Sequence, residues 1–412
     1  MGHRRDRAPV RGWSLAQLFG LTVGLLVILL GFLFTLVFRG SQDAILESSE
    51  QQRKLVSQRI ADSVAAYLGQ AEASIVDLQR EIQGATLDLK DFTAIEAALY
   101  ADLINHPNLT EVTVTYGWDD GWDADGNLRL LPGHRGQISV YRPDPAGKKI
   151  NTRELSWANG GFEVRARRRG DADAFDSVPL KLVHPTTPPQ DPTQDPTFTT
   201  PARQDLFGAG QPVWSDLAWT EMDKALPPAQ RRVEVSVQKA ITNRRGGFLG
   251  VVRVGIQAQR LDQCTRGTGL DPGDKHQVFL CDAQGRLITR VSPHDTIEEM
   301  GDDLRVHPSD PPPAIAAALH LPILGQVSAD TPQQHGSFDL GGETFLTTFR
   351  YLSNTQDWIA GIVVPKSYYL GNLEDSRRRL LIAFLAIDVL LLVGGIGSLR
   401  FMRQGMHQIT NE

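Results

Sequence analysis

Three arginines are the residues of this sequence best suited to bind a small ligand. Arg165 and Arg253 lie in segments where apolar and polar residues alternate, and Arg203 lies in a long proline-rich segment. A guanidinium group binds a carboxylate through two parallel hydrogen bonds, so these residues favour a small anionic ligand such as a carboxylate. The alternative for each of them is a surface arginine paired with Asp or Glu, and the sequence leaves both open.

Further polar and aromatic side chains are expected around the same ligand. Tyr141, Ser236 and Gln238 fall at polar positions of alternating segments, while aromatic residues and one acid come from the segment 168–230. The predicted ligand-binding residues are therefore Tyr141, Arg165, Phe198, Arg203, Trp214, Asp216, Trp219, Ser236, Gln238 and Arg253.

No segment has the spacing of a catalytic or metal-binding motif. The sequence lacks the paired-histidine zinc motif, the phosphate-binding glycine loop and the serine-hydrolase elbow. The segment 121–127, GWDADGN, resembles a calcium loop but lacks its first acid and its closing Glu, which favours a hairpin turn. We therefore expect no catalytic residue, no metal site and no cofactor.

Composition excludes several classes of protein. The chain has 412 residues, of which 41% are hydrophobic and 22% charged, so it is not a disordered tail. A formal net charge of -6 gives no basic field for nucleic acid. Cys264 and Cys281 are too few for a disulfide framework, and they either pair with each other or stay free.

Two apolar segments predict membrane-spanning helices, at residues 13–38 and 380–399. The run from Leu18 to Phe38 is uncharged and long enough to cross a hydrocarbon core of about 30 Å. A cleaved signal peptide is the alternative, but its apolar region would be only about 7–15 residues long. The second segment carries Asp388, either a functional carboxylate or a protonated one facing a neighbouring helix.

Charges beside the first segment predict the orientation. Four arginines against one acid place residues 1–12 in the cytoplasm and residues 39–379 outside it. Residues 400–412 would return to the cytoplasm and are too few for a catalytic domain. They would begin an output region that either follows this chain or is absent.

A long helix and a sheet are predicted outside the membrane. Residues 42–82 contain no proline, and their apolar residues recur at steps of three, four and seven, which predicts one apolar stripe. A second helix is predicted over 91–104. Alternation with period two predicts antiparallel strands at 111–116, 137–141, 161–167, 232–240 and 248–256.

These strands are expected to have one apolar and one polar face. We assign to the face packed on the long helix Val112, Val114, Val140, Val164, Val233, Val235, Val237, Val252 and Val254. The opposite face, either solvated or the floor of a pocket, would carry Thr113, Thr115, Ser139, Tyr141, Arg165, Arg167, Ser236, Gln238 and Arg253. The segment 168–230 is either a floppy loop or a lid on this face, and its aromatic residues favour the lid.

A second, smaller sheet is expected after residue 263. A hairpin at 277–290 turns through Asp282-Ala283-Gln284-Gly285, and a short helix is predicted at 314–319. Further strands are predicted near 336–339, 344–351 and 358–363.

This order of elements resembles that of the double Cache sensor domains of bacterial transmembrane receptors. The resemblance covers residues 40–375 and is carried by VQKAITNRRGGFLGVVRVGI at 237–256, VFLCDAQGRLI at 278–288 and FLTTFRYLSNTQDWIAGIV at 345–363. It implies an α+β fold in which a long N-terminal helix and two PAS-like antiparallel-sheet modules are flanked by two transmembrane helices. The long helix and membrane-distal module would span 39–263, and the membrane-proximal module 264–375.

The resemblance also implies a function. Such receptors bind small metabolites in the distal module and signal through the membrane to a kinase, cyclase, phosphatase or chemotaxis output. It implies a homodimer in the bacterial inner membrane that is not itself an enzyme and binds no nucleic acid. Many amino-acid binders of the family hold the ligand ammonium with an Asp, whose position here is Gly255, and in the stretch 195–198 only the aromatic Phe198 is kept. This pattern favours an anion over a free amino group.

Two other functions remain open. A membrane-tethered scaffold without a ligand predicts that the polar face is open to solvent and that 168–230 is disordered. A tethered exported enzyme predicts a carboxylate or histidine with a strongly shifted pKa in the pocket.

Overall fold

The computed structural model describes residues 15–84, 87–122, 128–144, 147–170, 174–185, 188–206, 210–223, 226–266, 275–301, 303–353 and 355–409. The chain divides into two compact units. One combines the chain up to Arg53 with the chain from Pro365, and the other comprises Lys54–Val364.

The first unit consists of helical segments that contain the predicted membrane spans. Helix α1 (Leu15–Gln83) is long and apolar enough from Gly20 onward to cross a membrane, with a mean hydropathy of 2.8 over its most apolar window. The second predicted segment lies in α6 (Lys366–Ile409), which does not meet the same criteria over its described residues. The side chain of Asp388 and the predicted cytoplasmic residues 1–12 lie outside the described part.

In the second unit, α1 buries the apolar stripe predicted from its periodicity. The stripe is at most 5% exposed at Ile60, Val64, Leu68, Ile75, Leu78 and Ile82. Helix α2 (Phe92–Asn105) begins after Asp91, whose carboxylate accepts a hydrogen bond from the backbone N–H of Ala94. Such a cap satisfies one of the free N–H groups at a helix start. Both helices pack on one face of a large sheet.

The large sheet contains nine strands in the described residues, all joined by antiparallel ladders. Its spatial order is β5-β4-β3-β2-β1-β9-β8-β6, and β7 also pairs with β8. The strands are β1 (Leu109–Trp122), β2 (Leu128–Tyr141), β3 (Asn151–Ala158), β4 (Gly161–Arg167), β5 (Lys181–Val183), β6 (Val213–Trp214), β7 (Ala218–Trp219), β8 (Val233–Thr242) and β9 (Phe248–Gln257). The five predicted strands are present, while β3 and the short β5, β6 and β7 were not predicted.

The register confirms the two faces in the middle of the sheet. Val112 pairs with Val140 and Val254, and Val254 pairs with Val237. Paired residues of neighbouring strands share a face, so these valines lie together against α1 and α2.

The predicted faces are wrong at β4. Glu154 of β3 pairs with Ile138 on one side and with Arg165 on the other, which places Arg165 on the helix side of the sheet. Arg167 lies on that side too, with its Nη2 3.4 Å from the carboxylate of Glu96 in α2. Val164, which we expected on the helix side, lies instead on the polar face. Strand β3, which was not predicted, sets this register. From the apolar residues alone, the residues of β4 were assigned to the wrong faces.

Between β5 and β8 the chain forms α3 (Pro196–Leu206) and 3-10 turns at Pro192–Gln194, Glu221–Asp223 and Pro228–Gln230. The segment 168–230 is therefore structured over much of its described length. Helix α4 (Leu261–Arg266) follows the large sheet.

The second sheet has the order β10-β15-β14-β13, with a separate two-stranded ribbon, β11-β12, in the described residues. The strands are β10 (Gln277–Cys281), β11 (Thr296–Met300), β12 (Asp303–His307), β13 (Gln333–Leu340), β14 (Glu343–Tyr351) and β15 (Ile359–Pro365). Helix α5 (Pro313–Leu319) lies between the ribbon and β13. The turn Asp282–Gly285 is present, but the expected strand at 286–290 makes only isolated bridges at Leu287.

Cys264 and Cys281 are both free thiols. Of the two states that the sequence left open, a disulfide or free thiols, the structure has the free thiols. Burial raises the pKa of both thiols. Most of the candidate calcium loop, residues 123–127, lies outside the described part of the chain.

Candidate ligand-binding site

The polar face of the large sheet is buried. Its central row runs across four strands through Gln238, Arg253, Thr113 and Ser139. These four residues are at most 7% exposed. The polar face is therefore covered and is not an open solvated surface.

The turn Pro192–Gln194, helix α3 and the side chain of Glu221 form this cover. Phe198 and Ala202 of α3 pack on Ala240, Phe248 and Val251 at one end of the face. Thr197 at the start of α3 places its hydroxyl 3.4 Å from Nη1 of Arg253. Asp191 accepts a 2.5 Å hydrogen bond from Arg135. Part of the expected lid at 168–230 thus lies over the polar face, whereas Trp214, Asp216 and Trp219 of the same segment do not.

Arg253 is the centre of a buried ion network. Its Nη2 donates to the carboxylate of Glu111 and, at 2.8 Å, to that of Glu221. Glu221 also lies 3.3 Å from Nη1 of Arg153. Burial alone would lower the pKa of Arg253, but Glu111, Glu221 and Glu234 raise it well above its ordinary value. This arginine stays charged and is already neutralised by two carboxylates.

Glu234 is the most perturbed acid of this network. Burial, followed by the nearby charge of Glu111, raises its pKa to about 8. Its carboxylate fills the space beside Gly255, where an added Cβ would lie 2.7 Å from Glu234 Oε2. Thr220 hydrogen-bonds this carboxylate. A carboxyl group from the neighbouring strand β8 therefore lies beside residue 255.

Several buried polar atoms of this face have no hydrogen-bond partner. Three of them, Glu111 Oε2, Gln137 Oε1 and Arg253 Nε, lie in residues that are at most 7% exposed. The neighbouring polar atoms are engaged, since Gln137 Nε2 donates to Thr115 and Thr113 Oγ1 lies 2.8 Å from Ser139 Oγ. A buried polar group without a partner costs about 1–3 kcal/mol. The face therefore retains two acceptor atoms and one donor atom that a bound molecule can satisfy.

Five of the predicted residues lie on or over this face. Ser236, Gln238 and Arg253 are buried in it, Tyr141 is half-buried at the same register position as Glu111, and Phe198 covers it. Gln238 Nε2 donates to Ser236 Oγ at 2.6 Å, which holds both side chains in place.

Five predicted residues lie elsewhere. Arg165 is 47% exposed on the helix side, beside Glu154 and Glu163, and Arg203 is exposed on α3. Trp214 packs in the helix-side core and donates to Glu72 of α1 at 2.8 Å.

The remaining two, Asp216 and Trp219, point to the region of the second sheet. They bind Arg305 at 2.7 Å and Glu299 at 2.9 Å, respectively. The prediction that these five residues line the same pocket as Arg253 is not supported by their positions.

Three acids of the network were missed by sequence reasoning. Glu111 has the parity of Thr113 and Thr115, so the alternation of β1 already placed it on the polar face. Glu234 has the same relation to Ser236 and could have been found in this way. Glu221 lies in a 3-10 turn without any periodic pattern and gave no signal.

Chemically, the site can hold a small polar molecule by hydrogen bonds and charge. Among the described residues, no group of three or more His, Cys, Asp and Glu side chains is placed to hold a metal ion. The arrangement of carboxylates around one guanidinium is that of a binding surface for ligand donors and acceptors.

No family model and no curated protein matches the chain. Among solved structures, the chain is similar to the sensory domain of the Campylobacter jejuni chemoreceptor Tlp3, with 12% identity and a TM-score of 0.45 over 80% of this chain and 98% of that one. The ligand-binding domain of Mlp24 with asparagine gives 14% identity and a TM-score of 0.39, covering 82% and 99%. The extracellular domain of the putative histidine kinase mmHK1S-Z3 gives 15% and 0.45, covering 81% and 98%.

The first of these structures is a sensory domain of a chemoreceptor, and the third is the extracellular domain of a putative histidine kinase. At these identities and TM-scores, the likeness assigns no ligand to this chain.

Proposed function

We propose that the chain is the sensor part of a bacterial transmembrane receptor of the double Cache class. Residues 39–379 lie outside the cytoplasm of the inner membrane, and a small ligand binds on the polar face of the large sheet. The observation that carries this proposal is the covered polar face with unpartnered atoms at Glu111, Gln137 and Arg253.

The unpartnered atoms define the chemistry of the ligand. Glu111 Oε2 and Gln137 Oε1 only accept hydrogen bonds, so the ligand presents N–H or O–H groups to them, most favourably an ammonium group. Arg253 Nε only donates and takes an oxygen of the ligand. A small zwitterion such as an amino acid carries both the donors and the acceptors that these atoms require.

A simple carboxylate, which the arginines in the sequence predicted, fits less well. It offers acceptors only and competes with Glu111 and Glu221 for the guanidinium of Arg253. It also leaves the two acceptor atoms at Glu111 and Gln137 unsatisfied. The ion network therefore favours a ligand that carries a cationic group beside its anionic one.

The receptor organisation follows the layout of the sequence. Helices α1 and α6 cross the membrane within residues 13–38 and 380–399, and two copies associate in a homodimer. Residues 39–263 form the distal module, and residues 264–375 form the proximal module. The signal from ligand binding passes through the membrane spans to a kinase, cyclase, phosphatase or chemotaxis output. Ligand changes this output by its different affinity for two arrangements of the receptor.

The two rival functions are less well supported. A scaffold without a ligand predicts an open polar face, whereas the central residues of this face are buried and α3 packs on one end of it. An exported enzyme predicts a shifted pKa, and Glu234 has one. Burial beside Glu111 explains that shift without any catalytic role.

The experiment is a thermal-shift panel on the full chain in detergent, with amino acids, amines and carboxylates as separate arms. We expect at least one amino acid at saturating concentration to raise the unfolding midpoint by a few degrees. Glu111→Gln should abolish this shift. The matched control is Glu163→Gln, which removes a carboxylate on the opposite side of the sheet and should keep the shift.

Stabilisation of Glu111→Gln to the same extent as the wild type would place the ligand elsewhere. Stabilisation by simple carboxylates alone would favour the anion predicted from the sequence. Absence of any shift across the panel would count against the proposed ligand class.

A further inference from the structure

A short segment connects the polar face to the second sheet. We call Val213–Asp223 the strap, because it runs along β8 at the edge of the large sheet. Val213 and Trp214 pair with Gln238 and Val237, and farther along Trp219 pairs with Val233. The strap is therefore paired with β8 at two places along its length.

One group of strap contacts reaches the polar face. Ser215 Oγ lies 3.0 Å from Ser236 Oγ and accepts the backbone N–H of Ser236 at 2.9 Å. Glu221 binds Arg253 at 2.8 Å and Arg153 at 3.3 Å. Two strap residues, six positions apart, are thus held by side chains of the candidate ligand site.

The second group reaches the region of the second sheet. Asp216 Oδ2 accepts from Arg305 Nη2 at 2.7 Å, and Trp219 Nε1 donates to Glu299 at 2.9 Å. Gln356 Nε2 donates to the backbone carbonyl of Trp214. Along the strap, these contacts at residues 214, 216 and 219 are interspersed with the contacts to the polar face at residues 215 and 221.

Arg305 continues the connection into the second sheet. It is 2% exposed, and its Nε donates to Asp282 Oδ2 at 2.9 Å. Asp282 in turn accepts the backbone N–H groups of Gln284 and Arg286, which fixes the turn after β10. Strand β10 pairs along its whole length with β15, which is followed directly in the chain by α6.

We propose that the strap couples the polar face to the turn after β10 and to the ribbon β11-β12. The Glu221–Arg253 and Asp216–Arg305 ion pairs are 2.8 and 2.7 Å long, and both arginines are nearly buried, so a shift of Glu221 is passed along the strap to Asp216. A change in the position of Arg253 therefore alters the hydrogen bonds of Arg305 and Asp282. Asp216 is a positioning residue in this account and does not touch the ligand.

The coupling rests on the proposed function only in that ligand binding is what moves Glu221. The contacts of the strap themselves exist without any ligand. The coupling can therefore be tested on the full chain in detergent micelles with no ligand added, by hydrogen-exchange mass spectrometry. Failure to find a ligand would leave this test unaffected.

The first variant is Glu221→Gln, which weakens the strap at the polar face. We expect amide exchange to become about fivefold faster or more in peptides covering 282–287 and 296–307. The matched control, Glu163→Gln, should leave those peptides unchanged. Peptides covering 333–351, which the strap does not contact through any of these bonds, should also be unchanged.

The second variant, Asp216→Asn, weakens the strap at the other end and tests the coupling even where Glu221→Gln fails to fold. Thermodynamic coupling is reciprocal, so peptides covering 234–238 and 251–255 should exchange faster in this variant. Faster exchange confined to the strap itself would overturn the proposal. Equal acceleration in 333–351 would also overturn it, since that result shows general destabilisation.

Discussion

The two sheets of this molecule are filled in opposite ways. In the large sheet, one face packs on helices with valines, while the other buries Thr113, Ser139, Gln238 and Arg253. In the second sheet, β10 and β15 bury apolar residues on both faces: Leu280 and Ile362 join the helix-side core, and alternate residues of the same strands form a separate core. That core contains Phe279, Cys281, Phe349, Ile359 and Val363.

Because of this difference, we attribute ligand binding to the large sheet and structural support to the second sheet. A buried apolar face is satisfied by packing alone, whereas a buried polar face needs a hydrogen-bond partner for each atom. In the large sheet some atoms lack that partner, at Glu111, Gln137 and Arg253. In the proposed receptor, the large sheet holds the ligand, and the second sheet supports the elements that precede α6.

The largest expected effect comes from breaking the second sheet. Phe279 is fully buried, its ring covers Gly361 so closely that no side chain fits there, and it contacts Phe349 edge-on. We expect Phe279→Ala to lower the free energy of unfolding by about 3–5 kcal/mol, measured by chemical denaturation in detergent. Phe345→Ala, at a half-buried position, should cost clearly less. A loss below about 1 kcal/mol for Phe279→Ala would contradict the assignment of this core.

Removing the guanidinium of the polar face should have a comparable effect for a different reason. Arg253→Met leaves the carboxylate of Glu111 buried without its cation and leaves Glu221 with Arg153 alone. We expect a loss of about 3 kcal/mol, visible as a lower unfolding midpoint at pH 7. The double variant Arg253→Met with Glu111→Gln should recover part of it. No recovery would show that the two residues do not interact as described.

A third prediction concerns the pH dependence of the polar face. The folded chain keeps a proton on Glu234 up to about pH 8, whereas its ordinary pKa is 4.5. The contribution of this carboxyl to stability is therefore full below pH 4.5 and is lost as the pH rises through 8.

Glu234→Gln lacks this titration because the amide stays neutral. Between pH 5 and pH 9, we expect the midpoint of the wild type to fall relative to that of Glu234→Gln by roughly 5 °C. A midpoint difference that is constant over this pH range would show that Glu234 is ionised throughout.

The smallest effect is expected for the arginine that was predicted on the wrong face. Arg165 is 47% exposed, and its nearest carboxylate oxygen is 3.9 Å away. Arg165→Met should change the free energy of unfolding by less than about 1 kcal/mol. It should also leave ligand stabilisation unchanged, in contrast to Glu111→Gln. Loss of ligand stabilisation in Arg165→Met would contradict its place outside the site.

The helices and the central strands could be predicted because their signal is local. The stripe of α1 and the alternation of β1, β8 and β9 depend only on residues a few positions apart. Strand β3 was missed because it carries polar residues on the helix side, where Thr152 donates to the buried Glu96 of α2 at 2.6 Å. That contact joins residues far apart in the chain, and without β3 the faces of β4 could not be assigned.

The site itself was only partly predictable. Arg253, Gln238 and Ser236 follow from strand parity, but the partners of Arg253 do not, because Glu221 reaches it from a turn. Asp216 pairs with Arg305 across 89 positions of sequence, a separation that leaves no local pattern. The same holds for the ligand class, since the arginines indicated an anion until their carboxylate partners were placed.

The most direct measurement is a calorimetric titration of the most strongly stabilising amino acid into the full chain, into Glu111→Gln and into Arg165→Met. The account predicts saturable binding to the wild type, an unchanged dissociation constant for Arg165→Met, and at least about tenfold weaker binding to Glu111→Gln. Equal binding to the wild type and Glu111→Gln would show that the polar face of the large sheet is not the ligand site.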